Sequence, residues 1–285
     1  MKKAFAIFLD GLKIFIRAGC FDRAAAISFY AFFSIIPLMI LTIAFLGFVL
    51  GTHEGLFEKI SGIARQALPY LSERVLTDVK GLATTWKAFS WLGLFSLFLS
   101  VELVFNSASK AMADIFNQDK KWGVVRRKVV NLVVFVVALL SALCSVLITA
   151  AYRLTGAFEL QILGIDVKYY LVDSLAYRYV APVALVVLTT ALVLRIFSGS
   201  RLDLRHALVG SVFFVVFWEI AKQVFAWYVS NFTSYNRFYG SLGAVMALLL
   251  WIFYSTNIFL FSAALAKAAF DRSGGIKRGQ KPAGK

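Results

Sequence analysis

Glu219 and Lys222 are the residues whose types and spacing most invite chemistry. They stand three positions apart in an otherwise apolar stretch, Trp218-Glu219-Ile220-Ala221-Lys222-Gln223. On a helix three residues advance about 4.5 Å, so the carboxylate and the ammonium share a face and an ion pair is within reach. Gln223 adds an amide at i+4 from the acid. A charge at membrane depth costs roughly 2.5–3.5 kcal/mol on insertion scales, so such groups usually face protein or water and mark candidate substrate or proton sites. A second acid, Glu102, has no base near it in sequence, and Asn106 follows one turn later. A carboxyl in that setting is expected to be protonated or bonded to another helix, with Lys222 and Arg178 as candidate partners. Arg178 can instead snorkel to lipid headgroups. For the Glu219–Lys222 pair the competing reading is structural, a buried pair that fixes helix packing.

The elements that must position these groups are membrane helices. Of the 285 residues, 60% are hydrophobic and only 16% charged, and the mean hydropathy is +0.79. Uncharged apolar runs of about 20 residues recur, the length needed to cross a bilayer core. Period-2 alternation is absent, which disfavours a β-barrel. The expected fold is all-α, a polytopic membrane protein with six transmembrane helices in one domain over residues 1–270. The spans fall near 27–50, 88–108, 129–151, 176–197, 206–229 and 241–266. Residues 3–23 repeat apolar positions at helical spacing. They read as one amphipathic helix, lying in the membrane interface or packed on the protein's own cytoplasmic loops. The long first outer loop, 51–87, carries two further amphipathic patterns broken near Pro69. Residues 271–285 read as a basic, disordered cytoplasmic tail.

Pro37 interrupts the first span, after Ser28, Tyr30 and Ser34, and frees a backbone carbonyl there. Tyr239-Gly240-Ser241-Leu242-Gly243-Ala244 opens the last span, where the glycines permit close helix approach.

The formal net charge is +15. In the six-span scheme most of the 30 basic residues fall in the N-terminal segment, the second and fourth loops and the tail. By the positive-inside rule these lie in the cytoplasm, with both termini. The surplus then needs no nucleic acid, and none is expected as a partner; an RNA-binding reading would want aromatics interleaved with the bases, and the tail has none. The expected partners are membrane lipids, anionic ones included, and a periplasmic or envelope protein contacting 51–87. Cys20 and Cys144 are not spaced for a disulfide or a zinc site, so no metal or cofactor is expected. There is no GxSxG, HExxH or Walker-type loop, and the chain is not expected to be an enzyme.

Three stretches together carry a family resemblance. They are Arg23-Ala-Ala-Ala-Ile-Ser-Phe-Tyr-Ala-Phe-Phe-Ser-Ile-Ile-Pro37, Trp218-Glu-x-x-Lys222-x-x-Phe225-x-x-Tyr228, and Tyr239-Gly-Ser-Leu-Gly-Ala with Trp251. The chain resembles the YihY/BrkB family of bacterial inner-membrane proteins over about residues 5–270. The resemblance implies a six-helix inner-membrane protein. It also implies that an old ribonuclease label for the family is mistaken, and that members act in virulence, serum resistance or envelope lipid handling. The chain departs from the family at Ser262-Ala263-Ala264, where many members read Gly-Ala-Glu. Three functions follow in order of expectation: a transporter or lipid-handling protein using Glu219, Lys222 and Glu102, a scaffold recruiting envelope partners, and, remotely, a ribonuclease.

Overall fold

The computed structural model describes residues 2–51, 86–117, 124–157, 161–162, 165–166, 180–199, 202–231 and 241–275. Seven helices account for nearly all of them: α1 (Lys2–Arg17), α2 (Cys20–Gly51), α3 (Trp86–Ile115), α4 (Val124–Ala157), α5 (Ala181–Phe197), α6 (Leu204–Asn231) and α7 (Ser241–Phe270). A two-residue antiparallel ladder, β1 (Gln161–Ile162) with β2 (Ile165–Asp166), lies between α4 and α5. Among the described residues, four stretches are long and apolar enough to cross a membrane: Cys20–Met39, Val125–Leu147, Leu204–Ser230 and Val245–Gly274. The chain is a membrane protein with several apolar helices. The expected amphipathic helices of 51–87 lie, except at their ends, outside the described residues.

Two expected boundaries are corrected. Residues 3–23 are not one helix. α1 ends at Arg17, Gly19 takes a left-handed φ of 61°, and α2 begins at Cys20. The Gly19 N–H donates to the Ile16 carbonyl at 3.0 Å, and the Gly19 carbonyl accepts from the Arg23 N–H at 3.2 Å. Glycine meets that dihedral without the steric cost a Cβ would bring. At the other end, α7 runs into a wider, π-type turn over Asp271–Gly275. The first part of the supposed tail is therefore ordered. The Lys267 ammonium donates to Asp271 at 2.6 Å, and the Arg272 guanidinium donates to Asp10 of α1 at 2.5 Å. The Arg272 bond holds the Asp10 carboxyl below its ordinary range, against a smaller opposing effect of desolvation.

The described chain forms two compact units, Met1–Ala25 with Asn106–Lys285, and Ala26–Phe105. In the first, α6 packs against both α5 and α7, α4 packs against α5, and α1 lies against α7. The closest approach is at Gly210 of α6, where an added Cβ would stand 2.6 Å from the Ser262 carbonyl oxygen and 2.9 Å from the Ala266 methyl. Gly11 of α1 meets Leu265 in the same way, with its virtual Cβ 2.7 Å from a leucine methyl. Small residues let membrane helices approach until dispersion and weak hydrogen bonds hold them, since lipid removes the hydrophobic drive. Ser262, Ala263 and Ala264, the positions that depart from the family pattern, are fully buried in this crossing.

Polar links join neighbouring helices elsewhere in this unit. Ser141 and Thr189 share a hydrogen bond at 2.7 Å between α4 and α5, and the Ser109 hydroxyl donates to Asn131 between α3 and α4. Arg23, at the start of α2, pairs with Asp114, near the end of α3. In the second unit α2 continues through Pro37, and one turn earlier the Ser34 hydroxyl donates to its own helix at the Ala31 carbonyl, 2.6 Å away.

Candidate functional site

The site grows from an aromatic seam between α6 and α7. Phe214, Trp218 and Phe225 follow one another at spacings of four and seven along α6 and so share a face. Trp251 and Phe259 of α7 complete the seam. Phe214 stacks parallel to Trp218 with centroids 5.8 Å apart, and Phe225 lies 4.8 Å from Trp251. Phe214 also meets Phe259 edge-on at 5.9 Å. The indole N–H of Trp218 donates to the Ser255 hydroxyl of α7 at 3.3 Å, giving a half-buried donor its partner.

The charged pair stands on the flank of this seam. The Lys222 ammonium is 2.6 Å from the Glu219 carboxylate and 5.2 Å from the centroid of the Trp218 ring. An ammonium over an indole face is attracted by the ring quadrupole, so Lys222 is held by a charge and by a π-face together. The pair is not buried as the packing reading expects. The Glu219 side chain is 55% exposed and that of Lys222 40%. The apolar neighbours Ile220 and Val224 are exposed as well. The arrangement presents a carboxylate and an ammonium side by side on an apolar helix flank, with an aromatic ledge fixing the ammonium. It offers an acceptor and a donor side by side to a polar group that reaches this flank.

The other predicted residues are placed as follows. Gln223 lies on α6 and is exposed. Glu102 and Asn106 are both half-buried on α3, but Glu102 belongs to the second compact unit and Asn106 to the first. Ser34 and Pro37 lie on α2 in the second unit. Arg178, Tyr239 and Gly240 fall outside the described residues, and Ser241 is the first residue of α7. The structure thus brings together Trp218, Glu219 and Lys222, and adds Ser255. The serine's role had a weak sequence signal: it is a hydroxyl in an apolar run, and such hydroxyls bond their own backbone as readily as another helix. Its neighbours Thr256 and Asn257 do the former, donating to the Ile252 and Phe253 carbonyls at 2.8 Å each.

The sequence pattern of the family described as virulence factor BrkB matches residues 12–285. A membrane protein of the UPF0761 group from Pseudomonas aeruginosa strain LESB58 is 31% identical over 247 residues, 86% of this chain and 58% of that protein. Others of the same group are 28% identical: one from Xanthomonas campestris pv. campestris strain 8004 over 87% of this chain and 57% of that protein, and one from Glaesserella parasuis serovar 5 over 65% and 63%. The chain spans less than two thirds of the length of these relatives. No solved structure matches it. With its pattern matched from residue 12 to residue 285, the chain belongs to the BrkB family of membrane proteins.

Proposed function

We propose that this chain is a transporter or lipid-handling protein of the bacterial inner membrane, acting in envelope homeostasis through the polar site at Glu219 and Lys222. The observation that carries the reading is the exposure of an ion pair in the middle of an apolar helix. A pair retained only to lock two helices would be covered by them, because charge facing hydrocarbon is costly. This one is half-exposed beside the seam, with Lys222 against the Trp218 ring. In the full reading α2 to α7 form six spans with both termini cytoplasmic, supported by the concentration of basic residues in alternate loops. No catalytic step is assigned, and RNA cleavage by the purified protein would overturn that part.

The test is flux in proteoliposomes across a panel of labelled phospholipids and small solutes, for wild type and Glu219→Gln. The expected result is flux in wild type that the variant loses while remaining monodisperse. A wild type that moves nothing across a broad panel sinks the proposal. The second reading, a scaffold that recruits an envelope protein, draws support from the pair's own closure at 2.6 Å, which leaves both charges satisfied without substrate. It predicts that Glu219→Gln lowers folded yield alone. Crosslinking from the 51–87 loop that captures no partner counts against it.

A further inference from the structure

The geometry points to α1 as a docking surface for the anionic lipids of a membrane leaflet, independent of the site on α6. One face of α1 is already occupied. Gly11 and Phe15 are buried, Gly11 abuts Leu265, and Phe8 and Phe15 meet the Phe261 ring edge-on at 5.4 and 5.5 Å. A different face is bare. At 100° per residue, Phe5, Leu9, Leu12 and Ile16 fall in a sector about 60° wide. All four are exposed, Phe5 at 65% and Ile16 at 62%.

What covers that stripe follows from its flank and its position. Lys13 and Arg17 border it on one side, and both are exposed. The helix has one acid, Asp10, and Arg272 already pairs with it. The uncompensated charge beside the stripe is therefore positive only. A narrow apolar stripe beside basic residues matches an interfacial helix that sinks its apolar side to the acyl boundary and sets its bases among acidic headgroups. The position agrees, since only Ala18 and Gly19 separate α1 from the apolar stretch that begins at Cys20. The candidate span thus starts within a turn of the end of α1.

The test uses the full chain with a spin label at Leu9→Cys in a Cys144→Ala background; Cys144 is exposed and Cys20 buried. The protein is placed in nanodiscs of phosphatidylcholine alone or with phosphatidylglycerol, and access of the label to oxygen and to a water-soluble nickel chelate is measured. The expected result is a label open to oxygen and shielded from nickel, the more so with phosphatidylglycerol. Lys13→Gln with Arg17→Gln is expected to cut the gain from phosphatidylglycerol roughly fivefold per charge removed. Both side chains point away from α7, so the double variant keeps the α1–α7 contacts. Nickel access in both lipids overturns the proposal. So does insertion that ignores lipid charge, shielding from both reagents, which means protein cover, or label–label broadening, which means a second copy.

Discussion

Lys222 is held from two sides, by the Glu219 carboxylate and by the Trp218 ring, and the two restraints differ in kind. Removing the carboxylate leaves a cation at membrane depth with only a π-face for company. Glu219→Gln is therefore expected to destabilise the protein by roughly 1–3 kcal/mol, less than the 3–5 of a fully buried pair because both side chains are half-exposed. Glu219→Gln with Lys222→Met is expected to recover most of that loss. Thermal melting of the two singles and the double in one detergent closes the cycle, and additive losses would mean the residues are not coupled. The pair itself was legible in the sequence because i,i+3 spacing on a helix fixes geometry locally. Its exposure was not, since that depends on which face α7 covers. Nor was the Trp218–Ser255 bond, between residues 37 positions apart on different helices.

The helices were legible for the same local reason. The expected span at 206–229 became Leu204–Asn231, and that at 241–266 became Ser241–Phe270. Apolar runs set these lengths without help from tertiary contacts. The break after Arg17 was missed because the apolar spacing continues across it, although a glycine just past a basic last turn is a helix-stop signal. The crossing at Gly210 was also out of reach, because it needs the partner helix. Gly210→Ala is expected to cost about 1–3 kcal/mol, since both α7 atoms it would meet belong to backbone or a short side chain and cannot swing aside. A melting temperature equal to wild type would show that α6 and α7 shift apart freely. The clamp between α1 and the end of α7 has a pH signature. Asp10 has a folded-state pKa below its ordinary 3.8, so its stabilisation is complete above that value and is lost as pH falls through the lowered one. The stability gap between wild type and Asp10→Asn is expected to be constant near neutrality and to close only below about pH 4. A gap that closes near pH 6 would assign it to another group.

At the scale of the whole molecule, the charge pattern carries the expected orientation. Nearly all of the formal +15 is carried by segments that the six-span scheme places on one side. Alkaline phosphatase fused to either terminus is expected to be inactive, and green fluorescent protein at the same places to fluoresce. An active phosphatase fusion would invert or break the scheme. Within the first compact unit, burial is uneven along the helices. Leu194, Phe197, Ala207, Ser211, Leu260 and the run Ser262–Ala266 are buried around the Gly210 crossing, whereas Val224, Trp227, Val245 and Met246 are exposed. Gly210 is thus the tightest point of a contact that the aromatic seam and the Trp218–Ser255 bond carry farther along α6. From there to Ser230 α6 extends about 30 Å, so a tilt of about 5° about the crossing would move its far end by about 2.6 Å and would have to slide the rings of the seam past one another. Glu219 and Lys222 lie partway along that length, beside Trp218, so any such tilt that moves the pair must also strain the indole's bond to Ser255.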